Sequence, residues 1–332
     1  SPQIFQKDTR MFIRTLPFIF LFFAATTHAQ LPPEHDTYAT ELIEKIASPD
    51  SAAVYSQLSS RDKATFLNIF WRARNPLIYK YYYGHMLGER LYSVSESYVE
   101  NQLPEHFRTG ASTPDSLHIV EARTFFENLT ERFPKDPIAL NAYGYALLEA
   151  DDPSAAEPIF LKAVEKDRKL VEARNGRGLA YFKLPKQRNL AIKQFQTAAA
   201  QDKKYSAALY NLAQCQVAMG AKDLAFHFNQ VLKRFPNHPN AHFKYAVTRE
   251  SEQPEKALEA YTKQIAVNPD HRGAYLGKGR VLLGLNRSEE AVKTWQQLND
   301  VAPSYRPQTL PLMMLAYQNM GNTSDALAVA SS

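Results

Sequence analysis

The chain has 332 residues, of which 45% are apolar, and carries 39 Lys and Arg against 34 Asp and Glu for a formal charge of +5. That is enough apolar material for a sizeable core. The basic residues are interspersed with acids and form no stripe on a periodic face, which argues against nucleic acid as a partner. The one cysteine, Cys215, excludes an internal disulfide framework, and its setting among Leu212, Ala213 and Val217 predicts a small buried thiol.

Residues 1–29 read as a leader. Met11 and Arg14 precede the apolar run from Leu16 to Ala25, and Thr27-His28-Ala29 follows with small residues at both ends. A basic start, about ten apolar residues and a small-residue cleavage site describe a secretory signal cut after Ala29. The run is too short for a membrane span, which needs roughly twenty residues. No cysteine follows it, so no lipid anchor is expected. Ser1–Arg10 read as upstream translation. Removing the leader takes away Lys7, Arg10, Arg14 and Asp8, which leaves a nearly neutral chain.

Residues 30–103 read as a helical segment without internal period. Tyr38–Ala47 is amphipathic and ends at Ser48-Pro49. Asp62 is the expected cap of a helix over Lys63–Arg74, with Phe66, Leu67, Ile69, Phe70 and Trp71 on its apolar face. Arg72 and Arg74 suit its C-terminus, and Asn75-Pro76 stops it. The run Tyr79-Lys80-Tyr81-Tyr82-Tyr83 is expected to bury against the first repeat of the region after residue 116. Leu87–Leu103 should form another helix, and 104–116 a polar linker. The string from Phe66 through Phe70-Trp71-Arg72 to Arg74-Asn75-Pro76 resembles the start of GWxTD-domain proteins, which are exported bacterial proteins. The resemblance covers residues 66–100. Asn75 stands where that family has Asp, and no Gly-Trp-x-Thr-Asp motif occurs in the chain.

From residue 117 to 332 one pattern repeats about six and a half times. Alanines recur at Ala122, Ala156, Ala191, Ala225, Ala257, Ala291 and Ala326, spaced by 34, 35, 34, 32, 34 and 35 residues. Four residues after each stand Phe126, Phe160, Phe195, Asn229, Tyr261, Trp295 and Ala330. An i, i+4 pair shares one helix face, so most repeats set a small residue beside a large ring. Further small residues precede the alanines at Gly144, Gly178, Ala213, Ala246 and Gly279, where a second helix would approach. Pro134, Pro236, Pro269 and Pro303 mark the turns between repeats. The period and this order of small, small, aromatic and proline positions resemble the tetratricopeptide repeat. That implies an all-α, right-handed superhelical solenoid of antiparallel helix pairs. The last pair lacks most of its second helix, so the natural chain is expected to continue.

Chemistry is sparse. His238 and His242 stand at i, i+4, but His238 falls in the turn Pro236-Asn237-His238-Pro239 and no Asp, Glu or Cys completes a metal set nearby. No phosphate loop, zinc-protease motif or nucleophile elbow occurs, so neither catalytic residues nor a cofactor are expected. Function in such a solenoid lies on the concave face, lined mainly by the first helix of each pair. The resemblance puts Asn141 and Tyr145, Asn175 and Leu179, Tyr210 and Gln214, Phe243 and Val247, and Leu276 and Arg280 there. The Lys/Asn pattern by which some family members clamp a C-terminal carboxylate is absent. This aromatic and amide-rich set suits an extended peptide. The expectation is an exported scaffold, in the periplasm or at the outer membrane, that binds another protein. Competing readings are an enzymatic or enzyme-associated part in residues 36–103 or beyond the C-terminus, and a structural spacer. N-terminal sequencing of the envelope form should give Gln30 as the first residue, and any earlier start contradicts the leader.

Overall fold

The computed structural model describes residues 33–83 and 115–330, and so leaves outside it the leader, the expected helix Leu87–Leu103 and most of the linker. The described residues are α-helical, with short 3-10 and π turns and no strand. They divide into two compact units between Asp152 and Pro153.

The first unit holds α1 (Pro33–Ile46), α2 (Pro49–Gln57), α3 (Ser60–Arg74), the short α4 (Pro76–Ile78) running into a π turn at Tyr79–Tyr83, α5 (Ser116–Arg132) and α6 (Pro137–Glu149). Helix α2 has no counterpart in the sequence reading. Its N-cap is Ser48, the residue read there only as a stop. Helix α3 corrects a second point: Ser59, not Asp62, is its cap. The Ser59 hydroxyl accepts from the Asp62 amide and donates to the Asp62 carboxylate at 2.7 Å, so Asp62 is the acid of the first turn.

One aromatic core joins these helices. Trp71 stacks on Tyr83 at 5.9 Å and meets Phe125 at 5.0 Å, while Tyr82 meets Phe126 at 6.2 Å. The tyrosine run thus buries Tyr82 and Tyr83 against α5, the helix that carries the first phase alanine. Asn75 locks the junction. Its Oδ1 accepts from the Leu77 and Ile78 amides, and its Nδ2 donates to the His118 carbonyl at 3.0 Å and to Glu121 at 2.8 Å. The aspartate that the GWxTD resemblance would put here has no amide protons to give those two acceptors.

The second unit continues the series with α7 (Pro153–Lys166), α8 (Val171–Lys183), α9 (Arg188–Gln201), α10 (Ser206–Ala218), α11 (Leu224–Arg234) and α12 (Ala241–Val247). It ends with α13 (Pro254–Val267), α14 (Arg272–Gly284), α15 (Ser288–Val301), α16 (Arg306–Asn319) and α17 (Thr323–Ala330). Second helices of the pairs carry the phase alanines, and all seven alanines are buried. Phe126, Phe160, Phe195, Tyr261 and Trp295 are buried with them.

Each of those rings in the second unit faces a glycine. A Cβ built on Gly176 would stand 2.2 Å from Phe160, and one on Gly178 would stand 2.5 Å from Phe195. The arrangement recurs on α14, with Gly277 against Tyr261 and Gly279 against Trp295, both at 2.3 Å. Helices α8 and α14 therefore receive one ring from the helix before and one from the helix after. Gly178 and Gly279 were expected contact points; Gly176 and Gly277 were not foreseen.

The fourth ring is displaced by one place. Phe228 is buried, and Asn229, at the phase position, is exposed. Four of the turns inside the pairs share a register too. Asp151, Gly220, Asn286 and Gly321 all have left-handed backbone, with φ between 55° and 80°, and each stands five residues before a phase alanine. Asn, Asp and Gly are the residues that take this conformation at least cost.

Gly279→Ala should lower stability by about 1–3 kcal/mol, because the added methyl overpacks Trp295. Gly284→Ala, on the same helix with open space around it, should leave stability unchanged or raise it slightly. Denaturant unfolding of the pair checks this, and equal effects would contradict the packing.

Candidate functional site

The expected groove residues lie on the first helices, and the structure joins some of them. On α8 and α10 there is a chain of amides: Asn211 Nδ2 donates to Asn175 Oδ1 at 2.9 Å, and Gln214 Nε2 donates to Asn211 Oδ1 at 3.4 Å. Asn175 is buried and Gln214 half-buried. Asn211, the link between them, is absent from the expected set although it adjoins Tyr210. Its only signal in the sequence is a third amide on the same helix.

Tyr210 is half-buried, stacks on His238 at 4.5 Å and lies 6.0 Å from Phe228. Burial pushes its hydroxyl up to about 12, so it is a neutral donor at physiological pH. Phe243 lies 4.5 Å from His271 and 5.9 Å from Tyr261, and its amide donates to Gln264 Oε1 at 2.9 Å. Leu179 and Leu276 are half-buried in the local cores, and Val247 is exposed. Arg280 is the most open of the set, with 59% of its side chain exposed, and stands 3.7 Å from Glu250. Glu250 also accepts the Tyr261 hydroxyl. This acid sits just after α12 and had no sequence signal beyond its charge.

In the first unit, Asn141 is buried and its Oδ1 has no hydrogen-bond partner among the described residues. Tyr145 stacks almost parallel on Tyr81 at 4.8 Å, and the Tyr81 hydroxyl donates to Glu149. His35 is buried between the Tyr82 hydroxyl and Asp136, which its Nε2 meets at 3.0 Å. Burial works against the Asp136 carboxylate, but hydrogen bonds from His35 and the Ile138 amide hold it below the usual range. Asp136 also caps α6 through that amide, so the His35 contact pins α1 to the cap of α6.

The two spaced histidines have other work. His238 is buried and its Nδ1 accepts from the Asn240 amide at 3.2 Å. Burial, with help from His242, brings its pKa down to about 4. His242 Nε2 stands 2.8 Å from the Pro236 carbonyl oxygen and must donate to it. Cys215 is buried as expected, and burial pushes its thiol up.

Sequence profiles of the tetratricopeptide repeat match residues 121–170, 207–238 and 248–310. Comparison with curated proteins finds no match. Among solved structures, the Cut9–Hcn1 hetero-tetramer of the APC/C is similar with a TM-score of 0.51 and 15% identity, over 89% of this chain and 56% of that one. TTC0263, a tetratricopeptide-repeat protein of Thermus thermophilus, is 18% identical over 50% of this chain and 91% of its own, with a TM-score of 0.45. YrrB, described as a tetratricopeptide-repeat protein with an unusual peptide-binding site, is 19% identical over 60% of this chain and all of its own, with a TM-score of 0.39. The matched segments recur in phase with the buried alanines, so these stretches of the chain are tetratricopeptide repeats.

Proposed function

We propose that this protein is a non-catalytic scaffold, exported into a bacterial envelope, that binds another protein as an extended peptide along the first helices of its repeats. The observation that carries this reading is the amide chain Asn175–Asn211–Gln214, continued along the second unit by half-buried Phe243 and open Arg280. Amides bond a peptide main chain without regard to sequence, and rings beside them pack its side chains. Arg and aromatic residues are also the types that most often dominate binding energy. The leader pattern of residues 11–29 supports export, and none of the described helices is long and apolar enough to cross a membrane.

A photo-crosslinking residue placed at Gln214 or at Arg280 should capture the same envelope protein. The same probe at Lys193, exposed on the second helix α9, should not capture it. Gln214→Ala and Arg280→Ala should each weaken capture about tenfold or more while the melting temperature stays within a degree or two of the parent; one such hot spot is worth on the order of 2 kcal/mol. Equal capture from Lys193, or different proteins at the two groove positions, would contradict the groove.

A further inference from the structure

The irregular fourth repeat opens a second site. At the phase position where five other repeats bury a ring, Asn229 is exposed and borders a cavity of about 430 Å³. The cavity lies among α11, α12 and α13. Its size falls in the lower part of the range of small-ligand pockets, roughly 300–1,000 Å³.

Its lining is cationic and rich in donors. Lys233 comes from α11, Tyr245 from α12, and Lys256 and Lys263 from α13. The one carboxylate, Glu259, is spent: it pairs with Lys263 at 2.6 Å, and that lysine's hydrogen bond holds its carboxyl below the usual range. Neither Lys233 nor Lys256 has an ion-pair partner among the described residues. His242 also borders the cavity but gives its Nε2 proton to the Pro236 carbonyl. Two unpaired ammonium groups remain, with the Asn229 amide and the Tyr245 hydroxyl as neutral donors.

We propose that this cavity binds a phosphate-bearing ligand with at least two negative charges. Every cation lining it is a lysine, which acts on phosphate as a point charge; planar carboxylates are better served by the arginine fork, and none is present in the lining. The site is separate from the groove. His242 and Tyr245 stand at i, i+3 on one side of α12, whereas Phe243 and Val247 stand at i, i+4 on nearly the opposite side. Peptide and phosphate can therefore be held together, and the failure of either reading leaves the other standing.

Calorimetric titration of the full chain with inorganic pyrophosphate, at ionic strength fixed with sodium chloride, tests the proposal. Saturable binding of one equivalent is expected, weakened at least tenfold in Lys256→Gln and in Lys233→Gln. It should be unchanged in Lys203→Gln, whose lysine is exposed in the turn before α10. Co-sedimentation with phosphatidylcholine vesicles, with and without phosphatidic acid, distinguishes a lipid phosphate from a soluble one, and binding of either kind supports the site. Absence of saturable binding in both assays would overturn the proposal. So would equal loss in Lys203→Gln and Lys256→Gln, or citrate binding as tightly as pyrophosphate.

Discussion

The contact on which the second unit depends is a ring resting on a helix that has no side chain to oppose it. Phe160 and Phe195 reach α8 at Gly176 and Gly178, and Tyr261 and Trp295 reach α14 at Gly277 and Gly279. Glycine inside a helix costs about 1 kcal/mol relative to alanine. Burying a large ring is worth roughly 1.5–3 kcal/mol, so the exchange favours the close approach. Because the two glycines are two residues apart, one helix serves both its neighbours. At α8 and at α14 a pair is thereby tied to the preceding pair by the same device that ties its own helices, the kind of neighbour-to-neighbour packing that lets a solenoid extend unit by unit.

This explains which features the sequence reveals. The phase alanines and their rings are legible because they are covalently periodic, and all seven alanines are buried. Gly176 and Gly277 escape notice because the ring that requires each of them lies in a preceding helix, so no local pattern announces it. Phe228 escapes because it follows Ala225 by three residues rather than four, so the i+4 pattern meets the exposed Asn229 instead. At the start of the chain, Ser59 wins over Asp62 because its hydroxyl reaches the N3 amide while Asp62 is free to occupy the first turn. Of the candidate groove, the sequence places the residues on their helices but not the hydrogen bonds between them. Helix position puts Asn175, Tyr210 and Gln214 near one another, but the pairing that links two of them runs through Asn211.

The irregularities are where chemistry collects. In the first unit Asn75 hydrogen-bonds Leu77, Ile78, His118 and Glu121, so this position holds α4 and α5 together. In the second unit the displaced ring of the fourth repeat leaves Asn229 beside unpaired lysines. Regular repeats build the frame, and the departures from regularity supply groups that the frame does not consume.

The central claim is the energetic coupling between ring and glycine, and a double-mutant cycle on Gly178 and Phe195 measures it directly. Phe195→Leu removes the ring atoms that stand 2.5 Å and 3.0 Å from a Cβ at Gly178. If the contact is as described, Gly178→Ala is strongly destabilising in the parent chain and much less so when combined with Phe195→Leu, giving a coupling energy on the order of 1–3 kcal/mol. Effects that add to within about 0.5 kcal/mol would contradict it.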